Sequence, residues 1–577
     1  MKKILYALLV LLIASCGGDK KQKVSKVKDA KGGVTMGGVF RLNEVEEFKN
    51  LYPHNLTEVT SHRIGNQVYE GLVKFDQETL EVIPGLAESW EISDDATTFT
   101  FKIREGVLFH DDPCFEGGKG REVTAYDFEY VFTKLCESSA QNQMFWLFKD
   151  RVKGATEYHK STISGNPLEQ GVEGIRVIDD YTLQLELDYP FGGFLKVLAH
   201  SGCWVFPKEA VEQYDVDMRT RAVGTGPFKV KAVKEGDVVI LEKNRGYWRK
   251  DEHGNQLPYL DVIKISFIKE KKAELLEFNK GNLDMIFQLP VEEIESVLGS
   301  LDDAKAGSNV PFYLQSTPAL NIQFYAFLNT HEVFKNKDVR KAFNYAIDRE
   351  SIVNYSLQGL GIPATYGYVP PSFADYPHEE IEGYTYNTDL ARKHLEEAGY
   401  KNGEGFPKIT LQLNSGGKTN ENVAEAIQSM LEDVLNIQVE LSIMPFSQHI
   451  ERFQTGESEF WRVAWIADYP DPENFLSFFL STHIPDDPNA SAFMNSMRYS
   501  SEEFDAKMNK AYREIDDKER NRLFMEADQI LMEDAAVMPI YYDENVRLVN
   551  KKVKNFPVNG MEYRDFTEVY FESEKEK

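Results

Sequence analysis

Few stretches of this 577-residue chain carry residue types at a spacing that could perform chemistry. Ser415-Gly416-Gly417-Lys418-Thr419 sits between a strand-like and a helix-like segment, where a phosphate-cradling loop would sit. That loop needs G-x-x-x-x-G-K-[ST], so that backbone N–H groups wrap the phosphates. Its first glycine would fall at Gln412, so the segment reads as a plain glycine turn. His331-Glu332 lacks a second histidine at the zinc-protease spacing. Gly359-Leu360-Gly361 lacks the third glycine of a dinucleotide fingerprint, and no G-x-S-x-G occurs. The 11 histidines are scattered, with no clear metal cluster. Carboxylates are abundant, but no spacing marks a glycosidase pair. The reading is therefore no catalytic residue, no metal and no cofactor. Asp468 lies in residues 461–472, WRVAWIADYPDP, directly after Ala464-Trp465-Ile466, which reads as extended. Such a carboxylate can pair with a cation. In Asp-Tyr-Pro-Asp-Pro it can equally cap a turn, with Trp465 in the core.

The elements that must position these residues are mixed helices and strands. Residues 98–103 (TFTFKI) alternate like a strand. Residues 125–135 have helical periodicity, with Thr124 as N-cap. Residues 177–187, 238–241 and 263–268 read as strands. A helix is expected over 338–347 with Asp338 capping it, and another over 388–398 closed by Gly399. Strand 409–413, the glycine turn, helix 421–435 and strand 439–443 follow in order. Residues 518–533 form a long amphipathic helix. This alternation over such a length indicates α/β lobes rather than a sandwich or solenoid.

Composition narrows the partners. Net charge is −28, and residues 1–36 carry +6, leaving −34 for the rest. A surface so acidic excludes nucleic acid, whose phosphates call for Lys and Arg. It also argues against lying flat on anionic lipid. At the start, Lys2-Lys3 precede an eleven-residue apolar run, residues 4–14. That run is too short to span a bilayer and fits the h-region of an export signal. Ile13-Ala14-Ser15-Cys16 resembles a bacterial lipobox, which implies cleavage before Cys16 and lipid on its sulfur. Residues 17–36 are Gly- and Lys-rich and read as a flexible tether. The protein is thus expected outside the cytoplasm, held to a membrane by the lipid alone. Cys114, Cys136 and Cys203 allow one disulfide at most, and sequence does not choose the pair.

Residues 83–112, IPGLAESWEISDDATTFTFKIREGVLFHDD, carry the strongest resemblance. They are similar to the signature region of the peptide- and nickel-type solute-binding proteins of ABC transporters, family 5. Pro84, Gly85, Leu86, Ala87, Ser89 and Trp90 match, as do Arg104, Gly106, Phe109 and His110. The match continues through Gly224-Thr225-Gly226-Pro227-Phe228, Asn244-Arg245-Gly246-Tyr247-Trp248, Gly281-Asn282-Leu283-Asp284, Val339-Arg340 to Asp348-Arg349, and Ala391 to Gly399. The departure is an insertion, residues 113–122, before Val123-Thr124-Ala125.

The resemblance implies a two-lobed, periplasmic-binding-protein-like α/β fold (type II, cluster C) with an extra subdomain in lobe I. On that pattern residues 1–16 are the signal peptide with its lipobox cysteine and 17–36 the tether. Lobe I takes 37–68, 208–313 and 538–577. The extra subdomain is 69–207 and lobe II is 314–537, with hinges near 310–318 and 534–541. The resemblance also implies ligand contacts. Asp468 would pair with a peptide's α-ammonium group, with Trp465 three residues before it. Ala464, Trp465 and Ile466, and in lobe I Glu58, Val59 and Thr60, would flank a ligand backbone added as a strand. The implied protein is a monomeric, lipid-anchored binder of peptides that feeds the permease subunits of an ABC importer. A nickel chelate, haem, oligosaccharide or other small solute is the alternative cargo, and a ligand-presenting receptor the alternative role. An exported hydrolase has no constellation to support it.

Overall fold

The computed structural model describes residues 27–289, 293, 297 and 312–573, except 374, 416, 417, 486, 488, 489 and 493. Cys16, the first half of the tether, two glycines of the Ser-Gly-Gly turn and residues 310–311 of the expected first hinge lie outside them.

Three sheets organise the chain. The first runs Phe228–Lys234, Val238–Lys243, Val262–Ser266, Val39–Asn43. Its last pair is parallel, with Val262 opposite Val39. A strand from the start of the chain therefore completes a sheet begun some two hundred residues later. The second sheet runs Ala87–Ile92, Thr98–Ile103, Thr182–Glu186, Ile175–Asp179, all antiparallel. Helix Ala125–Leu135 packs on it, fixed by a capping box between Thr124 and Asp127. The third sheet runs Met285–Phe287, Val537–Asn550, Phe312–Phe327, Phe460–Ile466, Ile409–Asn414, Val439–Met444. Its last two strands are parallel and joined through helix Lys418–Leu435.

Alternation along the third sheet explains its two cores. Ile322, Phe324 and Ala326 face one buried cluster; Tyr325 and Phe327 face another. A separate core unites the first and second sheets. The molecule is thus two lobes, one of them carrying the second sheet as a subdomain. The lobes are joined by two long strands. Phe312–Phe327 and Val537–Asn550 pair with each other along nearly their whole length. Their register breaks between Pro318 and Ile322, opposite Glu544 and Tyr542.

Local differences from the sequence reading have local causes. Residues 177–187 are not one strand: the Asp179 carboxylate accepts from Tyr181 N–H at 3.0 Å and Thr182 Oγ1 at 2.8 Å, which turns the chain into a hairpin. The helix expected to begin at Asp338 is Lys337–Tyr345, capped by Asn336. Helix Thr388–Glu397 is capped by Asn387, and Gly399 lies beyond it at φ +97°. The 113–122 insertion is tied down by Arg121, whose guanidinium donates to Asp127 at 2.7 Å and to Glu209 at 2.7 Å. Cys114, Cys136 and Cys203 are free thiols. No helix among the described residues is long and apolar enough to cross a membrane.

Candidate functional site

The strand Phe460–Ile466 brings Asp468 to its place. One edge pairs antiparallel with Phe312–Phe327, from Phe327 opposite Phe460 to Asn321 opposite Ile466. The other edge pairs with Ile409–Asn414 only at Phe460 and Trp461. Beyond Trp461 that edge carries no strand among the described residues. The Ala467 N–H donates to Leu320 O at 2.9 Å, so 463, 465 and 467 turn their backbone toward the long strand. Ala464 and Ile466 therefore turn their N–H and C=O groups to the open edge. The carbonyl of Arg462, in the same phase, meets His449 Nε2 at 2.9 Å. Ile466 is 46 % exposed.

Asp468 follows at the strand's end. Part of its surface remains exposed, but its carboxyl sits in dense protein. It forms no ion pair with the described residues. Burial pushes its carboxyl up to about 7, against the opposite pull of the Asn474 amide. The Asn474 side-chain oxygen accepts from the Asp468 backbone N–H at 3.0 Å and from the Trp465 indole at 3.0 Å. The Trp465 ring lies edge-on to Phe478, centroids 4.2 Å apart. Asp468 does not cap the turn that follows. Asp471 does so: its Oδ1 accepts from Glu473 N–H at 3.0 Å.

Glu58, Val59 and Thr60 differ from the expectation of an extended segment. Glu58 is the N-cap of helix Val59–Gly65, its Oε2 accepting from Ser61 N–H at 2.8 Å. Val59 and Thr60 form that helix's first turn, with Val59 42 % exposed and Thr60 buried. A carboxylate followed two residues on by Thr-Ser is a helix start, and capping outweighs the β-branched pair. This helix still reaches toward Asp468 through rings. His62 meets His200 at 5.5 Å, His200 meets Trp146 at 5.5 Å, and Trp146 stacks on Tyr469 at 6.4 Å.

Sequence reasoning missed Arg462. Its guanidinium donates to Asn414 Oδ1 at 3.0 Å and to Gln323 Oε1, both neutral amide oxygens. The Asp543 carboxylate is reached through Gln323, which donates to it at 2.7 Å. One strand thus carries a cation without a direct carboxylate partner and ends beside a carboxyl without a cation. The available signal was a lone Arg in an apolar run. Elsewhere, Asp338, His394 and Glu397 converge within 4.8 Å, but both carboxylates address the same ring nitrogen, at 2.9 and 3.3 Å.

The profile of the family described as bacterial extracellular solute-binding proteins, family 5 Middle, matches residues 81–486. The chain is 28 % identical to the oligopeptide-binding protein OppA of Bacillus subtilis, over 98 % of each chain. It is 27 % identical to heme-binding protein A of Haemophilus influenzae, over 89 % of each. Its fold superposes on a periplasmic oligopeptide-binding protein, OppAIV, of Borrelia burgdorferi, with TM-score 0.75 and 26 % identity, covering 92 % of this chain and 99 % of that one. It also superposes on the periplasmic binding protein DppA of Helicobacter pylori in complex with the peptide STSA, with TM-score 0.76 and 25 % identity, covering 93 % and 98 %. The chain belongs to the bacterial extracellular solute-binding proteins of family 5.

Proposed function

We propose that this protein captures peptides between its two lobes and delivers them to the permease of an ABC importer, tied to its membrane by lipid on Cys16. The observation that carries the reading is Asp468, an enclosed carboxyl with no cation of its own at the end of a strand with an open edge. A peptide's α-ammonium group supplies that cation whatever its sequence. A charge-assisted hydrogen bond formed where water is excluded is stronger than a neutral one. The outward backbone groups of Ala464 and Ile466 offer the ladder bonds of an added strand, which hold a peptide without reading its side chains. Arg462 offers a cation for an acidic group further along. The similar proteins OppA and OppAIV bind oligopeptides and DppA holds the peptide STSA, which supports the same class of solute.

Closure over the ligand needs no covalent step. Ligand contacts made to both lobes at once supply the free energy that shifts the open–closed balance. Calorimetry with defined tri- and tetrapeptides tests the reading. Binding to wild type, lost in Asp468→Ala and lost on N-acetylation of the peptide, is the expected result. Acetylated and free peptide binding equally well would overturn the ammonium anchor. Mass spectrometry of co-purified ligand separates peptide from haem, metal chelate or sugar.

A further inference from the structure

The turn that carries Asp468 also carries two completely buried carboxylates, Asp471 and Glu473. Each takes a cation from the opposite lobe. Arg151 Nη2 donates to Glu473 Oε1 at 2.9 Å, across 322 residues of sequence. Lys196 Nζ donates to Asp471 Oδ2 at 2.9 Å, across 275. Both cations come from the region that carries the second sheet. We infer that Arg151 and Lys196 are positioning residues for solute capture: paired with Glu473 and Asp471, they hold the lobes closed and fix the turn that presents Asp468.

The surroundings are built for close approach. Tyr469, on the same turn, is buried in the core of the opposite lobe and stacks on Trp146. Phe191 lies under the Arg151 guanidinium at 4.9 Å and meets Tyr512 edge-on at 6.0 Å. Two glycines lie at the seam. A Cβ on Gly192 would stand 3.3 Å from Glu514 O, and one on Gly193 3.4 Å from Arg520 Nη1.

The two pairs differ in a way that ranks them. When the lobes part, Asp471 keeps Arg520, which holds it from its own lobe at 2.8 Å. Among the described residues Glu473 keeps two hydroxyls, from Tyr469 and from Tyr512 at 3.2 Å. A buried carboxylate stripped of its cation is strongly unfavourable. Here the lobes can part and let water reach it. Loss of Arg151 should therefore open the cleft rather than unfold the chain. Loss of Lys196 should do so less. The turn transmits the effect, because Asn474 N–H donates to Asp471 O at 3.0 Å while its side chain holds Asp468.

This inference rests on the two-lobed binding reading, not on peptide being the solute. The test measures association and dissociation rates of tetra-alanine on wild type, Arg151→Met, Lys196→Met and Arg151→Lys, with melting temperatures as folding controls. Dissociation should rise about tenfold in Arg151→Met and less in Lys196→Met, with association little changed, and Arg151→Lys should restore most of the loss. Rates within twofold of wild type in both Met variants would overturn the inference. If tetra-alanine does not bind wild type, the peptide reading is what has failed. Small-angle scattering of the ligand-free protein then decides. A larger radius of gyration in the Arg151→Met/Lys196→Met double variant supports the latch, and an unchanged one overturns it.

Discussion

Asn474 holds Asp468 from two sides: its oxygen accepts the aspartate's backbone N–H at 3.0 Å, and its amide is the one hydrogen-bonding group that draws the Asp468 carboxyl back toward its ordinary range. The same oxygen receives the Trp465 indole. A single side chain therefore sets the strand's end, the indole and the carboxyl together. Asn474→Leu should weaken binding of free-amine peptides about tenfold, the worth of one hydrogen bond to a charged group. Its melting temperature should change little by comparison. Calorimetry against wild type checks this.

Binding should depend on pH through Asp468. Its carboxyl sits at about 7 in the free protein, and pairing with an ammonium group needs the ionised form. Affinity should fall about tenfold per pH unit below 7 as the carboxyl takes its proton, and decline again above about 8 as the peptide's α-amino group loses its own. The stability effect has the opposite sign. A carboxyl held above its unfolded value binds its proton more tightly in the folded state, so this group adds stability as pH falls through 7. Asp468→Asn should flatten the affinity profile and raise the ligand-free melting temperature at pH 8. A profile unchanged by that substitution would assign the titration to another group.

Arg462 should respond to the carboxyl end of short peptides. Its guanidinium is held by the amide oxygens of Asn414 and Gln323, which leave its charge unneutralised at close range. C-terminally amidated tripeptides should bind about tenfold more weakly than free acids. Arg462→Gln should erase that difference while leaving the N-acetylation effect in place.

Asp528 is structural. It is fully buried and accepts from the backbone N–H groups of Tyr368 at 2.7 Å and Val369 at 3.0 Å and from the Tyr376 hydroxyl at 3.1 Å. Asp528→Ala leaves these donors without an acceptor and should cost about 2–4 kcal/mol in urea unfolding. Gly367→Ala should also destabilise, because its Cβ would stand 2.2 Å from Asp528 Oδ2.

Glu44 should be the most sensitive charge in its lobe. It is buried between Arg63 at 2.8 Å and Arg564 at 2.6 Å, with Glu562 bridging Arg564 and Arg547. Glu44→Ala leaves the Arg63 guanidinium without its carboxylate and Arg564 with Glu562 alone, and should cost about 3–5 kcal/mol. Chemical denaturation followed by tryptophan fluorescence reads this.

What the sequence made legible was local. The helix after Thr124 could be read because its capping box and apolar stripe lie within eleven residues. The hairpin at Asp179 was missed because Asp-Asp-Tyr contains neither Gly nor Pro, while both arms look like strand. Glu58 was read through a resemblance of extended ligand-binding segments, although its own spacing to Ser61 spelled a cap. Asp468 was named through the resemblance, from its place three residues after Trp465. Its brace could not be, because Asn474 acts by folding back over six residues. Arg151 and Lys196 lay beyond any sequence argument, since their partners are hundreds of residues away.

The two strands that join the lobes are also each other's neighbours in one ladder. A paired ribbon flexes across its face but resists sliding in its own plane, since sliding would break every rung at once. The connection therefore acts as one axle rather than two independent tethers. Its register breaks, between Pro318 and Ile322 and between Gln323 and Phe324, are where that axle is weakest, so on the proposed capture between the lobes every solute would meet the same closing arc. On that proposal solutes would be sorted by whether their bulk lets that one arc run to its end.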